Sequence, residues 1–134
     1  MHKETVKKFI ELVESRKLMY LQHKSAYLDV GPYMSLYARY GWYRTDTIEH
    51  RKTFVIATVE VIESQIHKGL FKQLLSDVCT VAFDLGLSVA VESVNNTDLE
   101  MYLKRIGFKL VFGTPNSYTL HPIAQGLPTH VSPD

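Results

Sequence analysis

The segment from Thr53 to Val94 constrains the fold more than any other part of this chain. Phe54 to Ile62 (FVIATVEVI) is rich in β-branched residues and apolar on both faces apart from Thr58 and Glu60. That is the pattern of a central strand covered on each side. Gly69 then opens a run in which Leu70, Phe71, Leu74, Leu75, Val78, Val81, Ala82 and Leu85 recur at helical spacing, with Gly86 as a C-cap glycine. Leu87 to Val94 (LSVAVESV) is a second apolar strand. Strand, helix and strand at this spacing predict a right-handed parallel crossover unit, and hence a mixed α/β architecture.

The flanks are weaker. Val6, Phe9, Ile10 and Val13 give an amphipathic helix over about Thr5 to Ser15. Lys17 breaks its phase, and Leu18, Met19 and Leu21 restart it, so the spacing predicts either a kink near Arg16 or a second short helix to Lys24. Gly31-Pro32 marks a turn, after which Met34, Leu36 and Ala38 alternate with Ser35, Tyr37 and Arg39 as in a half-buried strand. Gly41 interrupts it; Trp42 to Thr47 either continues that strand past a bulge or forms the second arm of a hairpin, and Thr45 to Lys52 reads as a loop. Beyond the crossover unit, Asn95 to Asp98 supplies N-cap chemistry for a helix over Leu99 to Ile106, which Gly107 stops. Phe108 to Phe112 and Ser117 to His121 flank Gly113 to Asn116 as a closing hairpin. No repeat or linker divides residues 1–123, which are expected to form a single domain, and 124–134 read as a loose tail or a partner-bound arm.

Composition narrows the partners. With 15 Lys plus Arg against 14 Asp plus Glu in 134 residues, the net charge is +1, so no basic surplus points to nucleic acid. Cys79 is the only cysteine, which excludes a disulfide framework and a thiolate zinc site and leaves Cys79 as a small apolar residue. The six histidines form no HxxxH or HxH pair, so no metal is expected. The start MHKETVKKF is charged where a secretory signal is apolar, and no apolar stretch approaches the roughly 18 residues of a membrane span. A cytoplasmic location and no membrane partner follow as expectations. The tyrosines Tyr27, Tyr33, Tyr37, Tyr40 and Tyr43 with Trp42 line either a substrate or subunit surface or, as alternating strand aromatics more often do, pack against neighbours.

The junction spelled SQIHKGLF carries the chemical interest. Free N–H groups at a helix start form an anion site, Gly69 permits close approach of a phosphate, and His67 and Lys68 add positive charge. No GKS/T or GxGxxG loop is present.

The element order and several residues together resemble the GNAT superfamily of acyl-CoA-dependent N-acyltransferases. In that family a central strand ends in a V-x-P-like segment, followed by R/Q-x-x-G-x-G/A, a helix, a strand, and N-x-x-A-x-x-x-Y-E-K-x-G-F. Val61 fits the strand end, Gly69 the first motif glycine, Asn96 the helix-opening asparagine, and Lys104 to Phe108 (KRIGF) the closing signature, without a gap. The resemblance spans about Thr53 to His121; the family's first strand, before the first helix, is not visible. Ile66 stands at the motif arginine or glutamine unless Gln65 serves with a one-residue shift, Phe71 stands at the second small residue, and Leu103 at the tyrosine that often protonates the departing thiolate.

The resemblance implies a GNAT-like mixed sheet with a splayed parallel strand pair, preceded by one or two helices and followed by two more and a closing hairpin. It implies acetyl-CoA as co-substrate and an acetyltransferase acting on an amine of a small molecule or protein, with a homodimer or larger assembly as a further expectation. Val61 and Glu63 would pair with the pantetheine arm, while Ile66, His67, Lys68, Gly69, Leu70, Phe71 and Asn96 would complete the cofactor site. Glu60, an acid in an apolar strand where desolvation would raise its pKa, is the candidate base, unless it faces solvent or pairs with an arginine. Tyr102 is the nearest substitute for the missing tyrosine, although one residue along a helix turns a side chain by about 100°. Glu92 lies four residues before Asn96 instead of the family's five, so its side chain is expected to face away. The ending Y-L-K-R-I-G-F also resembles small phage GNAT-like proteins, which implies an alternative: a catalytically silent assembly or interaction subunit, such as a virion component.

Overall fold

A computed structural model describes residues 3–14, 23–30, 32–44, 50–61, 69–94, 97–111, 113–114 and 116–122. The described residues form nine elements in chain order: α1 (Lys3–Glu14), β1 (His23–Asp29), β2 (Met34–Arg44), β3 (His50–Val61), α2 (Leu70–Asp84), β4 (Ser88–Val91), α3 (Thr97–Arg105), β5 (Lys109–Leu110) and β6 (Tyr118–Leu120). The strands form one six-stranded sheet in the order β1-β2-β3-β4-β6-β5. Every neighbouring pair is antiparallel except β3 and β4, which run parallel as the crossover reading requires.

The buried residues of all three helices belong to one core. Val6, Phe9 and Ile10 from α1, Leu74, Leu75 and Val78 from α2, and Tyr102 and Leu103 from α3 pack with Leu36, Ala38, Tyr40, Phe54, Ile56, Val89 and Val91 of the sheet. Strand residues alternate between faces, so these sheet residues define the helix-covered side. The opposite face carries a smaller cluster of Tyr43, Val55, Ala57, Ala90 and Val111, and no described helix packs on it. Cys79 is buried in the main core, where burial pushes its thiol pKa up, in keeping with its reading as an apolar residue.

The structure settles the open boundaries. β2 runs unbroken through Gly41 to Arg44, and His50 to Lys52, expected in a loop, is the first part of β3, paired with Trp42 to Arg44. His23 and Lys24, the end of the second short helix that the spacing offers, instead belong to β1 and pair with Gly41 and Tyr40. Here tertiary pairing overrides a local helical pattern. Residues 15–22 and the tail 124–134 lie outside the described residues. α2 ends as the sequence indicates: Gly86 adopts φ 75, its N–H bonds to Phe83 and that of Leu87 to Ala82, closing the last turn. Lys109–Leu110 pairs with Tyr118–Leu120 as the closing hairpin.

Candidate active site

The parallel pair β3 and β4 is short. Its register runs from Thr53 opposite Ser88 to Ile56 opposite Val91, and one further bond joins the Glu92 N–H to the Ile56 carbonyl at 3.0 Å. Beyond that point the two strands part. On β3, the register with β2 shifts: Tyr37 faces Thr58 and Ala38 faces Ile56, which leaves Ala57 as the extra residue of a bulge. A bulge bends its strand and increases its twist, so β3 turns away at the residue after its last partner on β4. On the other side, Ser93 takes a left-handed φ of 59 and carries the chain out of the sheet toward Val94, whose N–H bonds to Asn116. Together these two irregularities open a V between the strands.

The V holds a cleft of about 300 Å³ lined by Ile56, Ala57, Thr58, Val59, Val61, Phe71, Val91, Glu92, Ser93 and Leu99. Its walls are apolar from β3, from the first turn of α2 through Phe71, and from α3 through Leu99. Gly69 caps α2 with φ 76; among the described residues no side chain caps the helix start, and no acidic residue lies in its first turn. The Gly69 carbonyl accepts the first helical bond from Gln73, which leaves the amide donors of that first turn without helical partners. A left-handed φ is open to glycine at little cost, and, its chain neighbours apart, no atom of the described residues lies within 4 Å of where a Cβ would stand. The helix start is therefore an open, positively polarised end beside an apolar cleft.

Among the described residues, one carboxylate lines this cleft, and it is Glu92. Arg39 donates to its Oε1 through Nη2 in a salt bridge, and the Tyr43 hydroxyl donates to its Oε2 at 2.8 Å. Arg39 and Tyr43 lie on β2 and Glu92 beyond β4, so the cluster reaches across β3 on the helix-free face, where Tyr43 packs with Val55 and Ala57. Glu92 retains 21% exposure and Arg39 29%, so the pair is partly shielded without being sealed. Burial first, and then the bond to Glu92, hold the Tyr43 phenol well above its ordinary pKa, so it stays a proton donor. The Arg39 Nε is buried and has no acceptor among the described residues.

Placement changes the reading of the expected catalytic pair. Glu60 is exposed, opposite Ser35, in a separate hollow of about 270 Å³ with Pro32, Tyr33, Met34, Ser35 and Val61. The burial expected of an acid in an apolar strand is absent, because β3 is buried only as far as Ala57. Tyr102 is 2% exposed and belongs to the main core, with Lys72 Nζ 4.7 Å and the Arg105 guanidinium 5.3 Å from its ring centre. Leu103 is fully buried in the same core. Neither side chain lines the cleft. Val61 and Phe71 do line it, and Gly69 and Leu70 form the helix start. Glu63, Ile66, His67, Lys68 and Asn96 lie outside the described residues. The interval from Glu92 to Asn96, one short of the family's, predicts that Glu92 faces away, and the structure puts it in the cleft instead; the sequence signal for it is its parity with Ala90, which places both on the face that Arg39 and Tyr43 share.

Comparison with solved structures places this geometry. A mutant of the toxin AtaT, bound to the C-terminus of the antitoxin AtaR and acetyl-CoA, superposes with a TM-score of 0.53 at 14% identity over 67% of this chain. The chain covers 59% of that toxin's length. The KacTA–DNA complex matches with a TM-score of 0.51 at 17% identity, over 89% of this chain and 80% of that one. Both neighbours are GNAT-fold proteins. This chain has the GNAT fold. The splayed parallel pair, the helix that starts beside it and the closing hairpin are thus the elements of the GNAT sheet, and the strand sought before α1 is absent among the described residues. No protein-family model matches the sequence, and no curated protein matches it. Among the described residues, no helix is long and apolar enough to cross a membrane.

Proposed function

We propose that this GNAT-fold chain is an acetyl-CoA-dependent N-acetyltransferase, moving an acetyl group directly from the thioester to an amine of a small molecule or protein. The observation that carries the reading is the apolar cleft between β3 and β4 meeting an uncapped helix start. The cleft has the size and lining of a small-ligand site. The β3 edge beyond Ile56 is not paired with β4 and offers its backbone to an extended pantetheine arm. The first-turn amides of α2 offer donors to a pyrophosphate, helped by the absence of an acid there. The acetyl-CoA bound to the AtaT neighbour supports the same ligand class. In the proposal, Val61, Gly69, Leu70 and Phe71 hold the co-substrate together with Glu63, Ile66, His67, Lys68 and Asn96, which the sequence resemblance contributes.

One observation favours a second reading. With Tyr102 and Leu103 both in the core, α3 brings no tyrosine to the cleft, as in a catalytically silent GNAT-fold subunit of a larger assembly, for example a virion component. Calorimetry with acetyl-CoA, followed by a thiol-release assay over a panel of amines, separates the two. Binding with turnover supports the transferase. Absence of binding at millimolar acetyl-CoA overturns it, and purification of the chain in a large particle without turnover supports the silent subunit.

A further inference from the structure

Resting on the transferase reading, we infer that Glu92, held by Arg39 and Tyr43, is the catalytic carboxylate that receives the acceptor's ammonium group, and that the acceptor approaches from the helix-free face of the sheet. Three observations converge. Among the described residues that line the cleft, Glu92 is the only carboxylate, and it stands where a thioester held there would lie. Its alternation with Ala90 and Val91 places it on the face opposite the helices, whereas Phe71 and Leu99 reach the same cleft from the helix side. The cleft therefore joins the two faces at Glu92: one substrate occupies the helix side, and the other has the open side. Finally, the helix-free face offers an incoming ammonium further anionic and aromatic groups away from the Arg39–Glu92 pair. It carries the exposed Glu60 and the half-buried Tyr37, whose ring lies 4.8 Å from that of Tyr27, itself 81% exposed. Carboxylates and tyrosine faces both attract an ammonium.

The division of labour follows from the bonds. Arg39 and Tyr43 each occupy one oxygen of Glu92 and fix its orientation; a carboxylate oxygen has two lone pairs, so both oxygens keep acceptor capacity. Arg39 and Tyr43 are positioning residues, and Glu92 touches the substrate. The acceptor arrives as an ammonium, and Glu92 takes one proton from it, freeing the nitrogen lone pair to attack the thioester carbonyl carbon. The N–C bond forms and the C–S bond breaks with its electron pair going to sulfur. The second proton lost by nitrogen ends on that sulfur, and the proton on Glu92 passes to water, so ammonium and thioester become amide, thiol and one solvated proton.

The test uses the whole chain with acetyl-CoA and two probe acceptors, 1,4-diaminobutane and a lysyl tetrapeptide, read by thiol release. Glu92→Gln is expected to bind acetyl-CoA with unchanged affinity while kcat/KM for the amine falls at least about 100-fold, the scale of a lost acid–base group. Glu92→Ala supplemented with formate is expected to recover part of that rate, which a structural role would not allow. Tyr43→Phe, which keeps the ring, is expected to lower kcat without changing acetyl-CoA affinity. Turnover of Glu92→Gln within threefold of the parent overturns the assignment, as does loss of turnover in Glu60→Gln alone. A parent chain that binds no acetyl-CoA instead overturns the transferase reading itself. If Glu92→Gln fails to fold, formate rescue of Glu92→Ala decides; a folded Glu92→Ala with no rescue and full parental activity counts against the carboxylate.

Discussion

Gly69 shows how one residue couples backbone conformation to the proposed site. Its φ of 76 is a conformation that costs an alanine roughly 1–2 kcal/mol. Since, chain neighbours apart, no atom of the described residues lies within 4 Å of the added Cβ, the cost of Gly69→Ala lies in backbone strain. The variant is expected to lose about 1 kcal/mol of stability, measured by thermal denaturation, and to bind acetyl-CoA several-fold more weakly as the helix start shifts to relieve the strain. Equal affinity in the variant and the parent would remove this helix start from the site. The glycine was legible in the sequence because it punctuates a strong apolar helix. Glu92 was not: motif spacing counts along the chain, whereas Glu92 owes its position to the bulge at Ala57 and the turn at Ser93, which no local pattern announces.

Elements were readable in proportion to how much of their pattern they carry themselves. α2 has a long apolar stripe and a glycine at each end, and its observed span Leu70–Asp84 falls within the expected limits. β1 carries HKSAYLD, with little alternation of its own, and becomes a strand by pairing as the sheet edge against β2. α3 lies between these cases, since its short stripe needs tertiary ties. One is the Tyr118 hydroxyl, which donates to Glu100 Oε2 at 2.5 Å and fastens α3 to β6. That hydrogen bond, with burial adding to it, pushes the Tyr118 pKa up to about 12. The folded pKa lies above the unfolded value near 10, so the stabilisation is complete below about pH 10 and is lost as pH rises through about 12. Glu100→Gln removes the anionic acceptor. It is expected to move one tyrosine of the folded chain toward pH 10 in an ultraviolet titration of tyrosinate, and to shrink the alkaline fall in stability. An unchanged titration would show that the tie between α3 and β6 does not hold Tyr118.

For the whole molecule, the same sheet serves two unequal sides. One face is covered by three helices and holds the large core, and the other carries a small apolar cluster beside Arg39, Tyr43 and Glu92. The splay cuts through the sheet where these sides meet, so a ligand in the cleft would contact β3, the region after β4, α2 and α3 at once. A ligand that binds only the folded state raises stability by mass action, by about 2.7 kcal/mol at a hundredfold excess over its dissociation constant. For a domain of this size that corresponds to a rise in Tm of roughly 10 °C. Acetyl-CoA is therefore expected to raise Tm in a concentration-dependent way. In Glu92→Gln the rise should persist in full, because that carboxylate is assigned to the acceptor, whereas in Gly69→Ala it should shrink. Scanning the parent and both variants against increasing acetyl-CoA tests the division of the cleft between its two substrates: equal loss of the shift in both variants would place Glu92 in the acetyl-CoA site and return the acceptor side to question, and no shift in the parent at millimolar acetyl-CoA would remove the co-substrate from this cleft altogether.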